Sequence, residues 1–315
     1  MIAVEKRKVS YINEMIESGR AAELVADGEA YHDEQLSSIA AQICARPEVK
    51  VVLIAGPSSS GKTSTSHKLC LQLLACGKQP VALSLDNWYM DGALIPLKQD
   101  GTKDYESVYA IDLPKLGADL KSLIAGQEVE LPSFNFAEEK SEFSGETLRL
   151  EPDTIMVIEG IHALNPILTE HIAAENKYKI YASPMSPVSL DGERYVPTYV
   201  HRLLRRISRD LRTRGRLPQK TISLWPSVIE GETLWIEPFR KEADALFDTT
   251  MLYELPALRL SVETSLQTVP AVADEYEVAK QLLYYLSFFE SLPPSFIPRT
   301  SILREFIGGS QFNVG

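Results

Sequence analysis

The stretch Val49-Lys50-Val51-Val52-Leu53-Ile54-Ala55-Gly56-Pro57-Ser58-Ser59-Ser60-Gly61-Lys62-Thr63 decides the fold. Its first seven residues form a short apolar run rich in β-branched side chains, which suits a strand buried on both faces. The next eight fit G-x-x-x-x-G-K-[ST] at every fixed position. In that pattern the glycines let backbone N–H groups turn inward around phosphate oxygens, and the helix that follows adds its N-terminal dipole. Lys62 supplies a point charge to the β and γ phosphates, and Thr63 a hydroxyl to Mg²⁺. Gly56, Ser58, Ser59, Ser60, Gly61 and Ser64 complete the expected nucleotide cradle. The loop specifies a nucleoside triphosphate and leaves its use open.

Outward from the loop, Lys62–Cys76 reads as a helix closed by Gly77 and followed by Pro80, and Val81–Leu85 as the next strand. A β-loop-α-β unit makes the two strands parallel, with their carboxyl ends on one edge. Asp86 comes 24 residues after Lys62 and so falls at the phosphate edge. A carboxylate there can take a proton from an acceptor hydroxyl or hold Mg²⁺. Thr154–Ile158, Lys179–Ala182 and Thr249–Leu255 read as further strands, and Glu159 directly follows the first of these, on the magnesium side. Residues 128–150 alternate around a Ser-Gly turn as a β-hairpin. The expected architecture is α/β, a three-layer P-loop NTPase fold with a mostly parallel sheet.

The flanks are helical. Ile12, Met15, Ile16, Leu36, Ile39, Ala40 and Ile43 recur at helix spacing, with Gly19 and Gly28 as breaks. Leu113–Ala125 is a helix, and Ser223–Phe247 is helical or mixed. Near the end, Ala271–Ser291 is an amphipathic helix whose Leu282, Tyr285, Leu286 and Phe289 stripe reads as intramolecular core. Thr300–Ile307 is a short helix closed by Gly308-Gly309. Three units are expected: a helical extension over 1–47, a P-loop domain over 48–261 and a helical extension over 262–315.

The 315 residues carry a net charge of −11, which argues against general nucleic-acid binding. No apolar run approaches the ~20 residues of a membrane helix, and the start lacks a signal peptide's apolar core. Three cysteines with no C-x-x-C fit a reducing compartment, so a cytoplasmic location is expected. The acidity is uneven: residues 201–220 hold seven Arg and one Lys against the single acid Asp210. Arg202, Arg205, Arg206, Arg209 and Arg212 recur at i, i+3, i+4, i+7 and share a helix face, a pattern suited to clamping an anion. His162 and His201 have no evident partner and read as structural.

Taken together, GPSSSGKT, LDNWY, KDYES, the FNF hairpin, VIEGIHALNP and RRISRDLRTRGR stand in the order seen in uridine kinases. The chain resembles the uridine kinase branch of the uridine kinase/phosphoribulokinase family over about residues 48–255. The resemblance implies a substrate-side hairpin, an Arg-rich lid helix and ATP-dependent, Mg²⁺-dependent phosphoryl transfer to a small-molecule hydroxyl, such as the 5′-OH of uridine or cytidine. It implies Asp86 as catalytic base, with Lys62 and Arg209 as partners in catalysis. Arg209, Arg214 and Arg216 match lid arginines on the ATP phosphates, and Arg206 a substrate-side arginine. Tyr89, Tyr105, Glu106, Phe134 and Phe136 match the acceptor pocket, and Thr63, Glu159 and Asp86 the Mg²⁺ side. The two phenylalanines read equally as base-stacking or plain core. Two departures bear on the acceptor: Glu106 stands where the family has Asp, and Phe134-Asn135-Phe136 is followed by Ala137-Glu138-Glu139-Lys140 where the family has a histidine shortly after. A kinase of another sugar, polyol or organic acid stays open, as does a non-catalytic nucleotide-dependent regulatory or RNA-associated protein. A homo-oligomer is compatible with the sequence.

Overall fold

The computed structural model describes residues 4–136 and 138–314. Two helices, α1 (Val9–Glu17) and α2 (Ala21–Cys44), precede β1 (Val51–Ala55), the phosphate loop and α3 (Lys62–Ala75). Next come β2 (Gln79–Ser84), α4 (Leu113–Ile124), the hairpin β3 (Val129–Asn135) and β4 (Lys140–Leu148), β5 (Thr154–Glu159) and β6 (Lys177–Ser183). The short pair β7 (Val188–Ser189) and β8 (Tyr195–Val196) leads into α5 (Thr198–Arg214), α6 (Pro218–Trp235) and β9 (Ala245–Asp248). The chain closes with α7 (Glu254–Leu266), α8 (Tyr276–Leu286) and α9 (Arg304–Ile307).

The main sheet has the order β2-β5-β1-β6-β9, with every neighbouring pair parallel. Because side chains alternate along a strand, β1 sends Val52 and Ile54 to one face and Val51, Leu53 and Ala55 to the other. The first face packs with Leu24 and Leu36 of α2, Leu69 of α3 and Leu203 and Ile207 of α5; this core also takes in Ile12, Leu282 and Phe289 from the flanks. The second face packs on Leu116, Leu120 and Leu123 of α4. The result is a three-layer α/β/α fold, as the loop and strand pattern predict. Among the described residues, no helix is long and apolar enough to cross a membrane. All three cysteines are unpaired.

Three local readings are corrected. Gly28 does not break the N-terminal helix, since α2 runs through it. A Cβ there would sit 2.9 Å from the Tyr253 ring, so this glycine makes room for that side chain rather than marking a stop. The last strand is Ala245–Asp248, not Thr249–Leu255, where a turn leads into α7; the apolar residues from Met251 to Leu255 are buried as a helix start. The segment 223–247 divides into the rest of α6, a 3₁₀ turn at Glu237–Glu242 and β9.

Candidate active site

Register builds the site. Glu159 is the last residue of β5 and pairs with Ile54 of β1 on one side and Ser84 of β2 on the other. The phosphate loop leaves the end of β1, and Asp86 follows β2 in a 3₁₀ turn, where its own N–H donates to the Ser84 hydroxyl. Three chain segments therefore bring Lys62, Asp86 and Glu159 to one edge. Thr63 Oγ1 donates to Glu159 at 3.1 Å.

The loop is held in an unusual backbone shape. Gly61 has φ +92° and Ser59 φ +60°, a region side-chain-bearing residues rarely occupy. A Cβ on Gly56 would lie 2.0 Å from the Ala182 carbonyl oxygen, so only glycine fits there. Helix α5 supports the loop from behind. Arg202 Nε donates to the Ser58 carbonyl at 3.1 Å, Arg205 Nη1 to the Ser60 carbonyl at 3.1 Å, and Arg206 Nη1 to the Ser58 hydroxyl at 2.8 Å. Lys62 Nζ rests on the Pro57 carbonyl at 3.2 Å.

The arginine face expected from helix spacing divides in two. Arg202 is paired with both Glu232 oxygens, and the wholly buried Arg205 with Glu254, so these two are scaffold. Arg206, Arg209 and Arg214 instead share the buried Asp210 at 3.7, 3.7 and 3.2 Å. One carboxylate cannot neutralise three guanidinium groups, so the group keeps a positive excess. Burial depresses Arg214 to about 10, and neighbouring Arg209 adds to the fall. Burial also lowers Arg206, again with Arg209 contributing. Arg216, past the Gly215 turn, stands close enough to push both down further. Arg212 turns away and donates to the Glu305 carbonyl at 3.0 Å.

The carboxylates show the opposite strain. Burial raises Asp86, while Lys62, Arg209 and Arg214 pull it back. Burial, and then Asp86, push Glu159 up to about 7. A buried carboxyl that a neighbouring carboxylate pushes up in this way is stabilised by a cation.

Where the acceptor pocket is expected, Tyr89 is the centre of an aromatic group. Its ring lies 6.1 Å from Tyr105, 5.5 Å from Phe134 and 5.9 Å from Phe136, and its hydroxyl donates to the Tyr105 carbonyl at 3.0 Å. Phe136 is 44% exposed and lies under the Arg214 guanidinium at 5.5 Å, whereas Phe134 is half-buried and packs against the small apolar cluster of Tyr89, Ile95 and Ala110. Burial raises Glu106, which faces Arg206, and its Cβ meets α6 where only Gly231 leaves room. Trp88 is core, its indole donating to Asp119 at 2.8 Å. His201 is structural, bonded through Nδ1 to Glu254 at 2.6 Å. His162 is buried behind Glu106, and burial lowers it to about 4. The supports Glu232 and Glu254, and the contact of Glu305 with Ser64 Oγ at 2.8 Å, had no sequence signal, because each joins segments far apart in the chain.

The residues fit a nucleotide phosphate chain with Mg²⁺. The Ser59 and Ser60 hydroxyls and the Nε of Arg206 and Arg209 are buried without hydrogen-bond partners, and such groups are costly unless an anion satisfies them. Among the described residues no cluster of three or more metal-ligating side chains occurs. Mg²⁺ can be held by one or two carboxylates together with substrate phosphates.

A parallel sheet ending in a phosphate loop, a strand-end carboxylate and converging arginines define a P-loop kinase. The chain belongs to the phosphoribulokinase/uridine kinase family, whose model matches residues 51–254. Among its relatives, a uridine kinase of Staphylococcus haemolyticus is 30% identical over 198 residues, covering 62% of this chain and 86% of that protein. A uridine kinase of Lactobacillus helveticus is 27% identical over 197 residues, covering 62% and 84%. A solved structure from Silicibacter sp. TM1040, described as a candidate fructose transport system kinase, aligns with a TM-score of 0.51 at 18% identity. It covers 67% of this chain and 98% of that one, a likeness of fold.

Proposed function

We propose that this kinase transfers the γ-phosphoryl group of ATP, with Mg²⁺, to the 5′-OH of uridine or cytidine. The observation that carries the reading is the aromatic wall of Tyr89, Phe134 and Phe136 beside Glu106, next to Asp86 and the phosphate loop. A flat base can stack against the face of such an aromatic wall, and a carboxylate at Glu106 can accept hydrogen bonds from ribose hydroxyls. Asp86 takes the proton of the attacking hydroxyl. Lys62, Arg209, Arg214 and Arg216 neutralise charge on the transferring group, and Arg206 ties Glu106 to the loop. Thr63 and Glu159 would hold Mg²⁺, which when bound would offset the negative charge of the phosphates.

A kinase of another polyol is the second reading. It is favoured by the longer Glu106 and by Glu138-Glu139-Lys140 in the hairpin turn, where no base-reading imidazole stands. ADP release from Mg·ATP across nucleosides, sugars and polyols tests both. Uridine or cytidine should stimulate release most, and stimulation by a sugar alone would transfer the conclusion to the second reading. Slow hydrolysis that no acceptor stimulates would refute both.

A further inference from the structure

Ser64 is the third residue of α3, so its N–H is one of the donors that a helix start leaves without an intrahelical partner and aims at the phosphate cradle. That donor is taken from within the chain. Ser64 N–H donates to a Glu305 carboxylate oxygen at 3.1 Å, and the Ser64 hydroxyl to the same oxygen at 2.8 Å. An acid from α9, 241 residues further on, thus supplies the anion at the helix N-terminus that a nucleotide phosphate would otherwise supply.

Glu305 is only 5% exposed, and its backbone is anchored around it. Ile302 packs so tightly on the loop that a Cβ on Gly61 would lie 2.4 Å from its Cγ2. Arg212 donates to the Glu305 carbonyl, Ser208 donates to the Phe306 carbonyl at 3.2 Å, and the Phe306 ring lies under the Arg205 guanidinium at 5.3 Å. Further on, Phe312 stacks on His67 of α3 with ring centres 5.4 Å apart. The closing segment therefore lies along the first turns of the phosphate-binding helix.

We propose that Glu305 is a built-in competitor of the nucleotide, closing the Ser64 donors until its carboxylate swings away. The proposal rests on the loop being a nucleotide cradle and adds a control over its occupancy. Two anions cannot share one N–H and one hydroxyl, so binding requires the Glu305-out state. Apparent nucleotide affinity is the intrinsic affinity reduced by the fraction of molecules in that state.

Titration calorimetry of the full chain with Mg·ADP, on wild type, Glu305→Gln and Glu305→Ala, tests this. The alanine variant should bind about tenfold tighter or more, the size of a pair of charge-assisted hydrogen bonds that no longer has to be broken. The glutamine variant should fall between. In wild type, binding of Mg·ADP should speed amide exchange across residues 304–308, a readout that does not depend on a variant folding. Unchanged or weaker affinity in variants that melt cooperatively, or exchange that ADP leaves unaltered in wild type, overturns the proposal. If none of the three proteins binds Mg·ADP, the nucleotide reading itself falls, and the role of Glu305 with it.

Discussion

The Thr63 hydroxyl donates to Glu159 across 3.1 Å, linking the first turn of α3 to the end of β5. Burial and the neighbouring Asp86 raise the Glu159 carboxyl to about 7, so a cation beside it is stabilising. Glu159→Gln should therefore lower turnover about a hundredfold and raise the Mg²⁺ concentration for half-maximal rate. A Mg²⁺ titration of ADP release checks this. An unaltered Mg²⁺ requirement would remove Glu159 from the metal side.

Asp86 lies close enough to Lys62, Arg209 and Arg214 for each to favour its charged form. Asp86→Asn keeps the shape and removes the proton acceptor, so transfer should fall about 10²–10⁴-fold. Mg·ATP affinity, measured directly, should stay within about threefold. Turnover like that of wild type in the asparagine variant would sink the assignment as base.

Arg209 has a buried Nε without a hydrogen-bond partner and only a 3.7 Å approach to Asp210. A guanidinium so placed is available to the charge that develops on the transferring group. Arg209→Ala should reduce kcat by about 10²–10³-fold, as loss of one such donor does elsewhere. Acceptor KM should change far less. An effect confined to acceptor KM would place Arg209 on the acceptor instead.

The parts legible in the sequence are those set by local chemistry. Gly56-Pro-Ser-Ser-Ser-Gly61-Lys62-Thr63 names its own backbone shape, and strand length with β-branching locates β1 and β5. Gly28 was misleading because its signal is the same whether it ends a helix or admits the Tyr253 ring. The Arg202 and Arg205 scaffold was hidden for a related reason. Helix spacing shows which arginines share a face but not that Glu232 and Glu254 lie opposite two of them. Glu305 is an ordinary acid in a short helix until the fold sets it on Ser64.

The buried group of Arg205, His201 and Glu254 makes acid stability a test of the scaffold. Burial alone would raise Glu254, but Arg205 and His201 overcome it and hold the carboxyl at about 2, against an ordinary value of 4.5. A carboxylate with a depressed pKa stabilises the fold fully above its unfolded value, and the contribution is lost as pH falls toward the folded one. The window is thus pH 4.5 down to 2, and the contribution is on the order of 3 kcal/mol. Glu254→Gln leaves Arg205 buried beside a neutral partner, which should cost about 3–5 kcal/mol near neutral pH. Other carboxylates titrate in the same range, so the informative quantity is the difference between wild type and Glu254→Gln in urea unfolding. That difference should shrink steadily from pH 5 to pH 2.5, since the unfolded wild-type chain takes up a proton on Glu254 that the folded one still refuses. A difference that stays constant across the range would mean that the charge on Glu254 contributes nothing and that only its shape matters to the loop support.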